Sequence, residues 1–594
     1  YKKYLIMKNF LKIVAGTFIG SLLAMTIGVF LLIGVISSIA SFADKSTPKV
    51  PDSVVLSLNF NRPITDMASD DPFSGISPLD MKPKTSQNLY NFINTIDRAA
   101  EDPAVKFIYM NVTNLSAGIS HIEEIRQALT RFRESGKAVI AYADNFSQTG
   151  YYLASAADKI YLNPGGMSSL TGLSINSIFF KDLLDRMGIE VQLIRHGKFK
   201  AAAEQFISNK MSSENREQLE SYINGVWNSW MQDISASREI SVEELNRLTD
   251  NLLTPTAQSV LDAKLVDGLM YKDEMVKHLT TLFGVTKEED LKMISSTDYS
   301  RARVSPNLRE RNKIAILYAQ GDIVMGSSDK NIASDKFIEH ISKLRKDSTI
   351  KAVVLRVNSP GGSAQSSEVI ERELRLLMEN KPLIVSMGDY AASGGYWISA
   401  NANKILTNKA TLTGSIGVFS MVPNFGKTMK KHLSLNSETV KTNRHSDIMS
   451  GYRPLNNTEI AFIQSAIEQI YTEFIELVSQ GRNMTPEEVD NIAQGRVWSG
   501  IDATQIGLAD EIGGIYEALK SAASLAEIES YRVVEYPAKK DPFEKLLEIF
   551  SQTSVNIEKM QDPFALIDYA YRQLREQSGV THYARLPFNV SLNK

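Results

Sequence analysis

The sequence contains two copies of one pattern, and this internal duplication limits the fold more than any other feature. The apolar run Val105–Val112 returns as Ile350–Val357, 245 positions later (350 − 105). The helix-start pattern Ser241–Glu244 returns as Thr485–Glu488, 244 positions later (485 − 241). A nearly constant offset over about 140 residues indicates a tandem duplication, so the fold must be one that a chain can build twice in succession.

Each copy alternates short apolar runs with amphipathic stretches. In the second copy, strands are predicted at Lys313–Tyr318, Ala352–Val357 and Leu383–Met387, with a helix at Ser366–Glu379 between the last two. In the first copy, a long amphipathic helix is predicted at Ser213–Arg238. Strands that alternate with helices favour an α/β fold with crossover connections.

A long uncharged run lies near the N-terminus. No acidic or basic residue occurs from Ile13 to Ala43, and about 20 apolar residues suffice to span a bilayer. Lysines precede this run, so the positive-inside rule places the N-terminus in the cytoplasm and the rest of the chain outside. A cleavable signal peptide is the alternative, but its apolar core of about 7–15 residues is shorter. The run therefore predicts a single transmembrane anchor.

The 594 residues are too many for one compact domain, and the duplication suggests where they divide. The charged stretch Ser295–Arg311 with its Pro306 is interpreted as part of a linker, and Asp66–Gln87 as a loop. The predicted segments are a cytoplasmic N-terminus (1–12), the anchor (13–43), a first repeat (44–290), a linker (291–312), a second repeat (313–540) and a helical tail (541–594).

Composition excludes several classes of protein. There are 65 Lys and Arg against 68 Asp and Glu, so the chain lacks the basic surplus of a general nucleic-acid binder. Without cysteine it can have neither disulfides, nor thiol catalysis, nor cysteine zinc sites. Gly361-Gly362 is not followed by the Gly-Lys-Ser/Thr of a phosphate-binding loop. We therefore expect no cofactor, no metal and no nucleic-acid partner.

The two copies differ where chemistry would lie. In the second copy a Gly361-Gly362 turn follows a predicted strand, whereas the first copy has no glycine pair there. Ser393 falls at a predicted strand-to-helix turn, and its counterpart Gln148 cannot act as a nucleophile. The amides of Gly362 and Gly394 could together stabilise an oxyanion beside a reactive serine. The commoner role of a serine at a helix start is the N-cap, and this alternative stays open.

A nucleophilic serine needs a base, and two kinds are conceivable. The seven histidines give no sign of a Ser-His-Asp triad, although triad partners can be distant in sequence. Lys200 of the first copy lies among alanines and phenylalanines, and the second copy has no lysine at the matching place. Burial would favour the neutral amine, which can accept a proton from a serine. An ordinary solvated lysine is the alternative, and composition and spacing alone do not exclude it.

Four motifs lie in register along the two copies: Asn358–Gly362, Ala391–Gly395, Leu412–Gly417 and Gly197–Glu204. Together they resemble the signal peptide peptidase A family in its long tandem form. That family (peptidase family S49) comprises membrane-anchored serine proteases of the Clp protease/crotonase superfamily. The resemblance covers roughly residues 10–540.

The resemblance implies a role for each candidate residue. It makes Ser393 the nucleophile and Lys200 the general base. Ser415 would hydrogen-bond the lysine amine, and the amides of Gly362 and Gly394 would form the oxyanion hole. The implied fold is an α/β tandem duplication of a Clp protease/crotonase-like domain behind the transmembrane anchor.

The resemblance also implies a setting and partners. The substrates would be cleaved signal peptides and other apolar peptides, met at the lipid bilayer by a homotetramer. The catalytic part would lie on the periplasmic side of the cell inner membrane. Ala201 departs from the family pattern, because relatives often carry serine directly after the lysine. A crotonase-like acyl-CoA enzyme and a catalytically inactive membrane scaffold are the alternative functions.

Overall fold

The computed structural model describes residues 16–26, 47–68, 85–304, 309–328 and 331–538, and the backbone of 583–585. The chain divides into two compact units, residues 1–49 with 540–556 and residues 50–539 with 557–594. In the first unit, residues 16–26 form helix α1, and the rest of the predicted anchor lies outside the described residues. No helix in the described part is long and apolar enough to cross a bilayer.

Strands and helices alternate through the first repeat, which belongs to the second unit. A short 3-10 helix, Glu288–Asp290, adds to its regular elements. The strands are β1 (Val54–Asn59), β2 (Ile64–Thr65), β3 (Gln87–Asn88), β4 (Val105–Asn111), β5 (Ala138–Ala143), β6 (Lys159–Leu162), β7 (Glu190–Arg195), β8 (Gly268–Leu269) and β9 (Met293–Ser295). The helices are α2 (Leu89–Glu101), α3 (Ile119–Glu134), α4 (Gln148–Ala154), α5 (Lys181–Met187), α6 (Glu204–Ile207), α7 (Ser213–Arg238), α8 (Val242–Asp250), α9 (Ala257–Asp262), α10 (Lys272–Phe283) and α11 (Ser296–Arg303).

The second repeat has the same alternation. A further strand, β22 (Tyr583–Arg585), comes from the tail. The strands of the repeat are β10 (Lys313–Gln320), β11 (Ile323–Val324), β12 (Ile332–Ala333), β13 (Ile350–Ser359), β14 (Gly361–Ser363), β15 (Leu383–Ala392), β16 (Lys404–Thr407), β17 (Leu412–Gly414), β18 (Phe419–Asn424), β19 (Val497–Ser499), β20 (Glu511–Ile512) and β21 (Arg532–Tyr536). The helices are α12 (Ser334–Lys346), α13 (Ala364–Met378), α14 (Gly394–Trp397), α15 (Gly426–His432), α16 (Asn457–Arg482), α17 (Pro486–Ile492), α18 (Gly500–Gln505) and α19 (Ile515–Leu525).

The two repeats build the same parallel sheet. In the first repeat the strand order is β8-β6-β5-β4-β1-β9. In the second, β10, β13, β15, β16 and β20 follow one another with the same neighbours as β1, β4, β5, β6 and β8. Parallel neighbours require crossover connections, which explains why helices separate the strands along the chain. Each central strand is buried and therefore almost continuously apolar, as in the run Ala352–Leu355.

The segment predicted as a linker contains ordered structure. Strand β9 pairs with β1 and so extends the first sheet, and helix α11 follows it. Tyr299 of this helix is fully buried, and its hydroxyl donates a hydrogen bond to Asp102 Oδ2 at 2.9 Å. The many charged residues around Tyr299 favour the interpretation as a linker, and a single buried tyrosine is too little to contradict it in the sequence.

A third sheet joins the two repeats. Its order is β12-β11-β14-β22-β18-β7, so it contains one strand of the first repeat, four of the second and one of the tail. Strand β7 pairs antiparallel with β18 along its whole length, from Glu190 opposite Asn424 to Arg195 opposite Phe419. This pairing carries the chain that follows β7 into the second repeat. In the tail, β22 is extended where a helix is predicted, and the other tail residues lie outside the described part.

Candidate active site

Ser393 lies at the sharp turn between strand β15 and helix α14. Its backbone has a φ of 57° and a ψ of −115°, a conformation that side-chain-bearing residues rarely adopt. Its amide donates to Gly414 O at 2.8 Å, and its side chain is fully buried. Ser393 occupies the N-cap position, but its side chain makes no capping hydrogen bond. The turn therefore aims the hydroxyl elsewhere.

Lys200 reaches the same place from the first repeat, five residues beyond the end of β7. The loop that carries it is fixed on both sides, because Phe199 N donates to Gln494 O at 2.9 Å and Gln218 Nε2 donates to Phe199 O at 3.2 Å. The side chain of Lys200 has no solvent exposure. The ordinary alternative, a solvated surface lysine, is therefore wrong.

The amine of Lys200 lies within hydrogen-bonding distance of two serines. Its Nζ is 2.7 Å from Ser393 Oγ, 2.9 Å from Ser415 O and 3.1 Å from Ser415 Oγ. The Ser415 hydroxyl can donate in turn to Gly495 O at 3.4 Å. A neutral amine has two N–H donors and one lone pair. If Ser415 accepts both donors, the lone pair points at the Ser393 hydroxyl.

Burial controls the protonation of this amine. Removal from water disfavours the ammonium form and holds the pKa of Lys200 well below its ordinary value of 10.5. No neighbouring carboxylate contributes to the shift, which has desolvation as its one cause. The site therefore favours the neutral form of Lys200, which is the form that can accept a proton.

Two glycines form the walls around the lysine stem. A Cβ added to Gly495, whose φ is 79°, would lie 2.6 Å from Lys200 Cβ, and one added to Gly417 would lie 3.3 Å from Lys200 Cδ. Gly417 belongs to a motif that the sequence shows, whereas Gly495 does not. A single glycine in a loop gives no signal of its own, and its role depends on the approach of the other repeat.

The two glycines of the predicted oxyanion hole lie on adjoining segments. Gly362 is in strand β14, where an added Cβ would lie 2.0 Å from Ile323 O, so no larger residue fits. Gly394 begins helix α14, directly after Ser393. The next residue, Gly395, packs on the end of β13, because an added Cβ would lie 2.7 Å from Ser359 O. Close packing of these segments brings the Gly362 turn to the serine.

The histidines of the described residues make their contacts away from Ser393. His121 pairs with Asp66 at 3.1 Å and His445 with Glu459 at 2.9 Å, while His196 stacks on Tyr471. The described part of the chain also has no group of three or more His, Cys, Asp or Glu side chains arranged to hold a metal ion. The described side chain that hydrogen-bonds the Ser393 hydroxyl is that of Lys200.

Comparison with known proteins assigns this arrangement to a class. The model of peptidase family S49 matches residues 131–286 and again 375–529, and the Clp protease model matches 307–413. The protein is thus a serine protease with a duplicated domain of the Clp type, and the predicted α/β tandem fold is confirmed. The chain belongs to peptidase family S49.

Relatives of similar length agree with this assignment. The chain is 36% identical to Protease 4 of Haemophilus influenzae over 84% of its own length and 83% of that protein. It is 38% identical to Protease 4 of Salmonella typhi over 76% and 74%, respectively. It is 30% identical to the chloroplastic serine protease SPPA of Arabidopsis thaliana over 85% and 74%.

Proposed function

We propose that the protein is a membrane-anchored endopeptidase that degrades cleaved signal peptides through a Ser393–Lys200 dyad. The observation that carries the proposal is the 2.7 Å separation of Lys200 Nζ from Ser393 Oγ in a site without solvent exposure. Serine is a weak nucleophile at neutral pH unless an adjacent base takes its proton. The neutral amine of Lys200 supplies that base.

The reaction follows from these positions in two steps. As Ser393 Oγ attacks the peptide carbonyl, its proton passes to Lys200 Nζ, and the amides of Gly362 and Gly394 stabilise the oxyanion. The ammonium then gives this proton to the leaving amine, which departs and leaves an acyl-enzyme. In the second step Lys200 takes a proton from water, the resulting hydroxide attacks the ester, and Ser393 regains its proton. Ser415 holds the amine in line throughout.

The third sheet supports an extended peptide as substrate. Strand β22 lies between β14 and β18 and pairs antiparallel with both, with Ala584 opposite Gly362. The edge of the Gly362 turn therefore accepts an added strand. Strand addition depends on main-chain hydrogen bonds and tolerates varied side chains, which suits the mixed apolar sequences of signal peptides. One curated relative, from Enterococcus faecium, carries the name putative signal peptide peptidase SppA.

A labelling experiment tests the proposed function. The full chain, in vesicles loaded with a synthetic signal peptide, is expected to cleave the peptide. A fluorophosphonate is expected to phosphonylate Ser393, with loss of fluoride. Mass spectrometry of the labelled peptide identifies the serine. Ser399→Ala, at a buried serine that only donates to Gly395 O at 2.7 Å, is the matched control and should label normally. Turnover of an acyl-CoA without labelling would favour the crotonase-like alternative.

The tail strand should compete with substrate. Because β22 lies beside β14, a peptide must displace it in order to pair with β14. The apparent affinity for the peptide is then the intrinsic affinity multiplied by the fraction of molecules in which β22 is detached. A chain that ends at Ala538 is therefore expected to show a several-fold lower KM with an unchanged kcat, measured on a soluble fluorogenic peptide. A chain that ends at Leu586 keeps the strand and should behave like the full chain. Equal KM values for all three chains would contradict the competition.

A further inference from the structure

A buried cluster of charged side chains connects the two repeats behind the Gly362 turn. Arg356 Nε donates to Asp66 Oδ1 at 2.7 Å, and Arg356 Nη2 lies 2.7 Å from Glu124 Oε1. His121 Nε2 lies 3.1 Å from Asp66 Oδ2. All four side chains are at most 5% exposed, and three of them come from the first repeat. We name Asp66, His121, Glu124 and Arg356 the inter-repeat cluster.

One amide connects this cluster to the predicted oxyanion hole. Asn358 Nδ2 donates to Asp66 Oδ2 at 2.9 Å, and Asn358 Oδ1 accepts from Tyr390 N at 3.2 Å. Asn358 lies four residues before Gly362, and Tyr390 lies three residues before Ser393. Asp66 is therefore tied through one side chain to both segments that carry the oxyanion donors.

The start of helix α3 makes a second connection of the same kind. Asp389 Oδ1 accepts from Ser120 N at 2.9 Å and from Ser120 Oγ at 2.7 Å. Gly118 permits this approach, because an added Cβ would lie 1.8 Å from Asp389 Oδ2. The same helix supplies His121 and Glu124. One helix of the first repeat thus contacts both strand ends that lead into the site.

The charges of the cluster depend on one another. Burial alone would raise the pKa of Asp66, but Arg356 and His121 outweigh it and hold that pKa far below the ordinary value. Burial alone would lower the pKa of His121, but Asp66 and Asp389 outweigh it and raise that pKa to about 9. Removing one partner leaves an uncompensated buried charge, which is strongly destabilising. The cluster is therefore complete only when the repeats are docked.

We propose that Asp66, His121 and Arg356 are positioning residues for acyl transfer, which hold Asn358 so that the Gly362 and Gly394 amides converge on the oxyanion. None of them contacts Ser393 or Lys200, so they act through the backbone of the two strand ends. The inference rests on the proposed function, because it assigns a geometry to that reaction. If the proposal holds, catalysis depends on two contacts between the repeats: the one between Lys200 and Ser393, and the inter-repeat cluster.

Asp66→Asn tests the proposal with little change of shape. The amide loses the charge that orients Arg356 and His121, and its own N–H groups conflict with the donors around it. Misplacing oxyanion donors acts on the transition state, so we expect kcat to fall about 10- to 100-fold with KM nearly unchanged. Deprotonation of Lys200 should make wild-type activity rise with pH, and this rise should occur at the same pH in Asp66→Asn. Glu371→Gln, at an equally buried carboxylate that pairs with Arg375 and Asn401, is the control.

The pH profile gives a second readout, and its first part needs only the wild-type chain. His121 faces Asp66, Asp389 and Arg356, and its own helix carries Glu123 and Glu124. Loss of its proton near pH 9 weakens the hold on Asp66, so wild-type kcat should decline above about pH 9. His121→Gln keeps an N–H donor without a titrating proton. It should lower kcat at neutral pH and abolish the alkaline decline.

The outcomes separate this inference from the proposed function. If the fluorophosphonate does not label Ser393 in the wild type, the proposed function fails. If it labels Ser393 but Asp66→Asn keeps the wild-type kcat per folded molecule, the cluster is only structural and the inference is overturned. If Asp66→Asn does not fold, the comparison of His121→Gln with the wild type decides, and an alkaline decline that persists in this variant also overturns the inference.

Discussion

Replacing Lys200 with methionine is expected to remove peptidase activity and to stabilise the fold. Positioned proton transfer contributes about 10²- to 10⁴-fold to a rate, so kcat/KM should fall by at least that factor. Methionine fills similar space between Gly417 and Gly495 without an amine. Peptide hydrolysis and thermal unfolding of the same preparations measure the two effects.

The stability gain has a defined dependence on pH. The pKa of Lys200 is lowered in the folded chain, so between that pKa and 10.5 unfolding takes up a proton that the folded state lacks. Wild-type stability must then rise with pH, by about 1.4 kcal/mol per unit, between the folded pKa and the ordinary value of 10.5. The Lys200→Met chain has no such proton. Its advantage over the wild type should therefore widen as the pH falls and vanish above about pH 10.5.

Lys198→Met is the matched control, because Lys198 is exposed and lies two residues away with its amine 5.1 Å from the Phe199 ring centroid. It should keep full activity and an unchanged dependence of stability on pH. Lys200→Arg should be inactive, since a guanidinium stays protonated. Activity in Lys200→Arg, or its loss in Lys198→Met, would assign the base to a different residue.

Much of the architecture can be predicted from the sequence because local pattern and burial agree. Helix α7 has the predicted bounds, Ser213–Arg238, and β13 and β15 extend the predicted strands by a few residues at their ends. The divergence of the copies singles out Ser393 without any structure. Its place beside Lys200 cannot be derived in this way, because that contact requires β7 to pair with β18.

The features that the sequence conceals depend on partners far along the chain. Asp66 falls in a segment interpreted as a loop, yet it is 2% exposed because Arg356, 290 positions later, compensates its charge. Gly495 gives no motif, and glycine is required there because its φ is 79° and because Lys200 lies against it. In both cases a residue of one repeat completes the surroundings of a residue in the other. A periodicity within one copy cannot record such a contact.

The second large prediction concerns Ser393. Its hydroxyl is needed for activity, whereas its strained backbone lowers the stability of the fold. Ser393→Ala should reduce hydrolysis to background, since no attacking oxygen remains. Ser393→Gly should be equally inactive but more stable than Ser393→Ala. The φ of 57° and ψ of −115° cost a side-chain-bearing residue about 1–3 kcal/mol, and glycine adopts them freely at an entropic cost of about 0.5–1 kcal/mol.

Chemical denaturation of the two variants isolates this strain. Both lack the hydroxyl and therefore the contact with Lys200, so their difference in unfolding free energy reports the backbone together with the buried Cβ that alanine keeps. We expect glycine to be the more stable by up to about 2 kcal/mol, because the strain exceeds the entropic cost and the lost Cβ packing. The strained turn holds the proposed nucleophile, Ser393 Oγ, 2.7 Å from Lys200 Nζ, so the fold gives up stability to place this oxygen. If alanine proved the more stable of the two, the turn would be unstrained, and the position of the hydroxyl would follow from packing alone.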